Sequence, residues 1–269
     1  MRISISNIAW EPAEDAVVAE RLRARGIDAI DVAPSRYFAD VADVAAADLT
    51  SVRAAWRARG CDIVGMQSLL YGTSGLNLFG EQDVRERMLG HLDAICRIGA
   101  GLGATRLVFG SPSNRNRSGL SDAEAHAIAI DFFRALGDIA AGHAATICLE
   151  PNPTAYGANF MTSSGETAAI VEAVGHAAIR MQLDLGAVAM NGESLHDVLD
   201  RCGPLIGHVH LSEPHLRPLQ DMDAHRRSAA ALRAAFGDAC IVTIEMRRDA
   251  ADPLGAVERS LQLAQACYG

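Results

Sequence analysis

The sequence predicts a closed (β/α)8 barrel, on three observations. Short apolar runs alternate with longer amphipathic stretches from one end of the chain to the other. Eight such units share 269 residues, about 34 residues each, the size of one strand and its returning helix. No proline- or glycine-rich linker divides them, so residues 1–269 read as one domain.

The first four strands are expected in ISISNIA (3–9), IDAIDVA (27–33), CDIVGMQ (61–67) and ATRLVFG (104–110). The last four are expected in ATICLE (145–150), IRMQLD (179–184), IGHVHL (206–211) and CIVTIE (240–245). Helical spacing fills the intervals, as in AVVAERLRARG (16–26), LTSVRAAWRARG (49–60) and VRERMLGHLDAICRIGAGLG (84–103). Gly26, Gly60, Gly103 and Gly237 stand where helices would end in left-handed caps. An open doubly wound sheet would carry its glycine fingerprint after the first strand. The only comparable string, GAGLG (99–103), ends a helix and precedes a strand, so the closed barrel is preferred.

Composition narrows the function. A net charge of −9 opposes general affinity for nucleic acid or anionic membrane. No apolar run reaches the length of a membrane-spanning helix, and MRISISNIAW lacks the pattern of a signal peptide. The six cysteines are scattered without a CxxC pair, as expected of reduced thiols in a cytoplasmic protein. Every basic residue is arginine. Without lysine, neither Schiff-base chemistry nor an ordinary phosphate-binding loop is available.

Barrel chemistry gathers at the carboxyl ends of strands, whose alternate residues face inward. In the last four strands, Thr146, Cys148 and Glu150 share a face, as do Gln182 and Asp184, His208 and His210, and Thr243 and Glu245. Each strand therefore ends in a potential ligand: Glu150, Asp184, His210 and Glu245. Singly, each acid could pair with an arginine at the barrel mouth. Together, three converging carboxylates would repel one another unless a cation sat among them. Oxygen-rich ligands with one imidazole suit manganese, magnesium or cobalt better than a structural zinc.

With these residues in place, the chain resembles the xylose isomerase-like TIM-barrel superfamily of sugar isomerases and epimerases. Within it, the resemblance is to the ketose 3-epimerase (tagatose/psicose epimerase) group. It covers the whole chain in architecture and is carried by CLEPNP (148–153), QLDLG (182–186), HVHLSEP (208–214) and TIEM (243–246). The resemblance implies that Glu150, Asp184, His210 and Glu245 hold one divalent ion, with manganese the leading candidate. It also implies a small carbohydrate substrate, and exposed barrel helices that pair subunits into a homodimer or homotetramer.

The chemistry implied is proton transfer at C3 of a ketose through an enediolate, with Glu150 and Glu245 as the catalytic pair. Return of the proton to a neighbouring carbon would instead interconvert aldose and ketose. His208 is expected either to support His210 or to be a satisfied core histidine. The resemblance makes Arg217 a substrate-hydroxyl contact, against the plainer reading of a surface ion pair with Glu213. Gln67 is placed in the substrate pocket, and Trp10, Tyr37 and Tyr71 follow strands one to three where they could wall it.

Three departures from relatives stand out. The family commonly has a histidine three residues beyond the strand-six aspartate, where this chain has Ala187; His215 is the candidate replacement. Xylose isomerases proper have lysine where Asn152 stands. Inosose dehydratase relatives often have lysine and aspartate where Ser212 and Glu213 stand. The endonuclease IV branch requires three metals and more histidines than this chain offers. SPSNRNRSG (111–119), with Arg115 and Arg117, reads as a lid, a phosphate clamp or a solvated loop. His91, His126, His196 and His225 read as helix-surface residues. Two further readings remain: a metal-dependent dehydratase or lyase acting on a cyclic polyol ketone, and an auxiliary carbohydrate-binding barrel.

Overall fold

The computed structural model describes residues 1–269 and has the expected architecture. Eight parallel strands close in sequence order: β1 (Arg2–Ser6), β2 (Ala29–Val32), β3 (Asp62–Met66), β4 (Arg106–Phe109), β5 (Thr146–Leu149), β6 (Ile179–Asp184), β7 (Ile206–Leu211) and β8 (Ile241–Ile244). Closure is made by β8 on β1, with Ile3 opposite Val242 and Ile5 opposite Ile244. The first four returning helices are α1 (Asp15–Ala24), α2 (Ala46–Ala58), α3 (Gln82–Leu102) and α4 (Asp122–Gly142). After β5 come α5 (Ser164–Val174), α6 (Leu185–Met190), α7 (Leu195–Cys202), α8 (Met222–Phe236) and α9 (Pro253–Tyr268). No helix is long and apolar enough to cross a membrane.

Two-residue periodicity decides what each layer contains. Ile5, Ile30, Leu107, Ile147, Val209 and Ile244 are fully or almost fully buried and belong to the main apolar cluster, with helical partners such as Leu22, Leu92, Phe133 and Leu261. The residues between them on the strands are polar in much of the barrel. Ser4, Asp31, Gln182, His208 and Thr243 are all buried, where such barrels usually place branched apolar side chains.

The four capping glycines all take positive φ: 65° at Gly26, 88° at Gly60, 91° at Gly103 and 71° at Gly237. Strand β1 is shorter than its alternating run because residues Asn7–Ala9 tighten into a 3-10 turn. There the Asn7 Oδ1 accepts the Ala33 N–H at 2.7 Å, tying the ends of β1 and β2 together. A register shift between Ile30 and Asp31 sets Asp31 opposite Gly65. A Cβ at residue 65 would overlap the Asp31 carboxylate, so glycine makes room for that buried acid.

Candidate metal centre

The closing half of the barrel brings four ligands to one point. Asp184 ends β6 and His210 lies in β7, while Glu150 and Glu245 follow β5 and β8 directly. One ligand atom from each lies within 4.8 Å of the others. His210 Nδ1 is 3.5 Å from Glu150 Oε1 and 3.2 Å from Glu245 Oε2. All four residues are buried.

Each carboxylate is held by a different device. Asp184 caps α6, its Oδ1 accepting the Ala187 N–H at 2.6 Å, while Oδ2 accepts the Ser212 hydroxyl at 2.6 Å. Glu150 Oε2 accepts from Asn152 Nδ2 at 3.0 Å, and Glu245 Oε1 accepts from Gln67 Nε2 at 2.5 Å. In both glutamates an amide holds one oxygen and leaves the other facing His210. Gly110, just beyond β4, permits this: a Cβ there would overlap the Glu150 carboxylate.

The donor set fits a divalent cation. Both nitrogens of His210 and Glu150 Oε1 are buried without a hydrogen-bond partner, which is rare for buried polar atoms. Burial, followed by repulsion from Glu245 and Glu150, pushes the Asp184 carboxyl up to about 8. Burial would lower His210, but Glu245 and Glu150 raise it well above its ordinary value. A positive ion would relieve both tensions, and the cluster is a divalent-metal site.

A cleft of about 350 Å³ opens over the centre. Glu150, Asp184 and Glu245 line its floor; Gln67, Ala187 and Asn152 stand beside them. Leu69, Leu70 and Tyr71 form an apolar end, and Arg247 is the cation in the wall. Tyr71 is 76% exposed, a large aromatic face open to solvent at the cleft.

Several expected residues lie elsewhere. Trp10 is buried away from the cleft because its indole N–H donates to Asp15 Oδ1 at 2.8 Å and its ring packs edge-on against Trp56. Tyr37 joins the same network, donating to Asp15 and accepting from Trp56. Arg217 is exposed and lines a separate hollow between α6, α7 and α8. It forms only a backbone bridge with Glu213, not the surface ion pair of the plainer reading. Glu213 is itself buried, accepting the N–H groups of Gln220 (2.5 Å) and Asp221 (2.8 Å).

The reason is the turn between them. His215 and Leu216 both adopt left-handed backbone, at φ 65° and 55°. Such conformations cost about 1–3 kcal/mol each in non-glycine residues and require support from the surroundings. Here the His215 N–H donates to the Tyr156 hydroxyl at 2.8 Å, and Leu216 O accepts the Arg247 N–H at 2.8 Å. The turn sends His215 outward and puts Leu216 into the cleft wall beside Arg247.

Three other expectations are corrected or resolved. His225 is buried rather than on the surface, with Nδ1 2.7 Å from the Tyr268 hydroxyl and Nε2 3.6 Å from Glu213. Arg115 is fully buried, unlike a solvated loop residue, whereas Arg117 pairs with Asp122 at the surface. His208 lies beneath His210 and contacts Asp31, which sequence reasoning missed. The same inward parity applied to ISISN and AIDVA would have found it.

Solved structures with this fold include D-psicose 3-epimerase in the presence of D-fructose, at 19% identity and TM-score 0.80, covering 100% of both chains. D-psicose 3-epimerase from Clostridium cellulolyticum H10, solved with D-tagatose, matches at 16% identity and TM-score 0.77, covering 99% of this chain and 96% of that one. A 3-keto-D-glucoside 4-epimerase from E. coli in its apo form matches at 19% identity and TM-score 0.79, covering 99% and 100%. At these identities the likeness concerns the fold. No curated protein matches the sequence. The family model described as xylose isomerase-like TIM barrel matches residues 19–266; with the closed barrel and the four ligands at its mouth, the chain belongs to that family.

Proposed function

We propose that this protein is a divalent-metal-dependent carbohydrate epimerase or isomerase, acting at C3 of a ketose by proton transfer between Glu150 and Glu245. One observation carries the reading. The two glutamates rise from β5 and β8, three strands apart around the barrel mouth, and each has one oxygen held by an amide. A carbon placed between them would meet a carboxylate on either face.

A divalent ion among the four ligands would supply Lewis-acid stabilisation of the negative charge that builds on substrate oxygens. The oxygen-rich donors suit manganese, with magnesium or cobalt as substitutes. The protein groups do the proton work. One glutamate, ionised, takes the proton from C3; the other, entering the step protonated, delivers one to the opposite face. The proton count is unchanged over the step and the stereocentre is inverted. Gln67 and Asn152 keep the two carboxyl groups from rotating away.

A second reading keeps this chemistry and changes the substrate to a keto sugar carrying a substituent. The apolar end at Leu69, Leu70 and Tyr71 favours it, since it offers packing surface beyond the metal. The small Ala187 also leaves the β6 side of the cleft without an imidazole.

The test is hydrogen exchange in D2O with the manganese-loaded protein and a panel of ketoses, aldoses and 3-keto-glucosides, followed by NMR. Deuterium at C3 with accumulation of the epimer supports the first reading, and exchange confined to the keto-glucosides supports the second. Loss of water from the substrate would point to the dehydratase chemistry. Near-normal exchange in both Glu150→Gln and Glu245→Gln would overturn the two-glutamate mechanism.

A further inference from the structure

Arg115 closes the 3-10 turn Pro112–Arg115 after β4, and its side chain is fully buried. A buried guanidinium is expensive unless its donors are used. Two of them are used on one target, while Nε is buried without an acceptor. Nη1 donates to the backbone carbonyl of Glu150 at 2.8 Å, and Nη2 donates to Asn152 Oδ1 at 2.6 Å. Asn152 then passes the contact on, its Nδ2 donating to Glu150 Oε2 at 3.0 Å. The arginine thus grips Glu150 by its main chain and, through an amide, by its carboxylate.

The local sequence explains why a side chain is needed there. Asn152 lies between Pro151 and Pro153, which supply no backbone N–H and restrict the residues before them to extended conformations. Its own N–H donates to Met161 O at 3.0 Å, so the backbone of residue 152 is already fixed. Only the side-chain torsions remain free, and the planar fork of Arg115 sets them.

The opposite glutamate is held differently. Gln67 donates to Glu245 Oε1, but its own Oε1 is buried without a donor. One amide clamp is therefore braced by a cation and the other is not.

We infer that Arg115 is a positioning residue for Glu150: acting through Asn152, it fixes which carboxylate oxygen faces the metal and holds that side of the site more rigidly than the Gln67–Glu245 side. The inference rests on the proposed role of Glu150, but its test does not require a known substrate.

The probe is Co²⁺ alone, bound to the whole protein, with affinity measured by calorimetry and ligand geometry by the visible absorption of the ion. Arg115→Met and Asn152→Ala should each weaken Co²⁺ binding about tenfold or more and alter its absorption, as loss of groups behind metal ligands does. The double variant should lose clearly less than the sum of the two singles, because both residues act on the Glu150 carboxylate through the same amide. Arg115→Lys, which retains charge but cannot serve two acceptors in one plane, should recover stability but not the wild-type spectrum. If Arg115→Met does not fold, Asn152→Ala and Arg115→Lys carry the test. Wild-type affinity and absorption in these variants, with only a lowered melting temperature, would overturn the inference. So would additive losses in the double variant. Altered Co²⁺ spectra in a protein that exchanges no sugar hydrogens would leave this inference standing and remove the proposed reaction instead.

Discussion

Nε2 of His208 lies 2.7 Å from Oδ2 of Asp31 inside the barrel, one layer below the metal centre. Ser4 donates to the other Asp31 oxygen at 3.1 Å, and the Thr243 hydroxyl is 3.4 Å from the same imidazole nitrogen. The His208 ring stands edge-on to His210, with centroids 5.3 Å apart. Burial works against the Asp31 anion, but His208 and then His210 hold its carboxyl below the usual range. Asp31 thus anchors the imidazole on which the ligand histidine rests.

Removing one member of such a buried pair leaves the other without compensation. Asp31→Ala should destabilise the protein by about 3 kcal/mol, read from urea unfolding at constant pH. A loss below about 1 kcal/mol would mean that the pair adds nothing beyond an ordinary hydrogen bond.

Gly110 gives a sharper test of the site with less effect on the fold. The methyl group of Gly110→Ala would occupy the space of the Glu150 carboxylate, which must then swing away from Asn152 and the metal position. Metal affinity should fall about tenfold or more, while the circular dichroism spectrum stays that of the parent. Unchanged affinity would show that Glu150 is not held where the structure places it.

The two arginines beside the His215–Leu216 turn should behave differently. Arg247 lines the cleft, whereas Arg217 lines the hollow behind it. A hydrogen bond from a charged donor contributes about 1.5–3 kcal/mol, so Arg247→Ala should raise KM roughly ten- to a hundredfold. Arg217→Ala should leave KM within about twofold, being a surface change away from the cleft. The reverse pattern in steady-state kinetics would mean that the turn rearranges when substrate binds.

The sequence alone was most informative where backbone geometry decides the outcome. Alternation in ATICLE, IRMQLD, IGHVHL and CIVTIE sets side chains on fixed faces, so the four ligands could be read from parity and strand ends. Asp31 was within reach of the same rule, because AIDVA alternates as the later strands do. Loops offer no such rule. Arg115 and Arg117 are two residues apart in a polar string, yet one is sealed against Glu150 and the other pairs at the surface. What separates them is the Glu150 carbonyl just beyond β5, which accepts from Arg115 Nη1 through a contact made only in three dimensions. Likewise Arg247, which no motif singled out, stands in the cleft where Arg217 was expected, because Leu216 turns inward through a left-handed backbone that no propensity favours.

The charge balance of the centre makes its stability and its metal affinity depend on pH in opposite ways. Without an ion, the Asp184 carboxyl, pushed up to about 8 by burial and by Glu245 and Glu150, keeps its proton through neutrality. In the unfolded chain the same group ionises near pH 4, about 3.9 for an ordinary aspartate. Between these values the folded state binds more protons than the unfolded one, so the stability of the metal-free protein falls as pH rises from about 4 to about 8. His210, raised above its ordinary value, acts in the same direction over the upper part of that window. Glu245 is lowered despite its burial, chiefly by His210, and its contribution is lost only under more acidic conditions. Ligation by these two residues requires an ionised Asp184 carboxylate and a free imidazole nitrogen on His210, so binding expels the protons that they retain. Chelated protein should therefore melt at progressively lower temperature between pH 5.5 and 8, and the Mn²⁺-loaded protein should not. Calorimetric titration at pH 7 in buffers of different ionisation enthalpy should record release of more than one proton per ion, from Asp184 and His210 together. Manganese affinity that stays flat from pH 6 to 8 would show that the three carboxylates do not share the tension the geometry gives them.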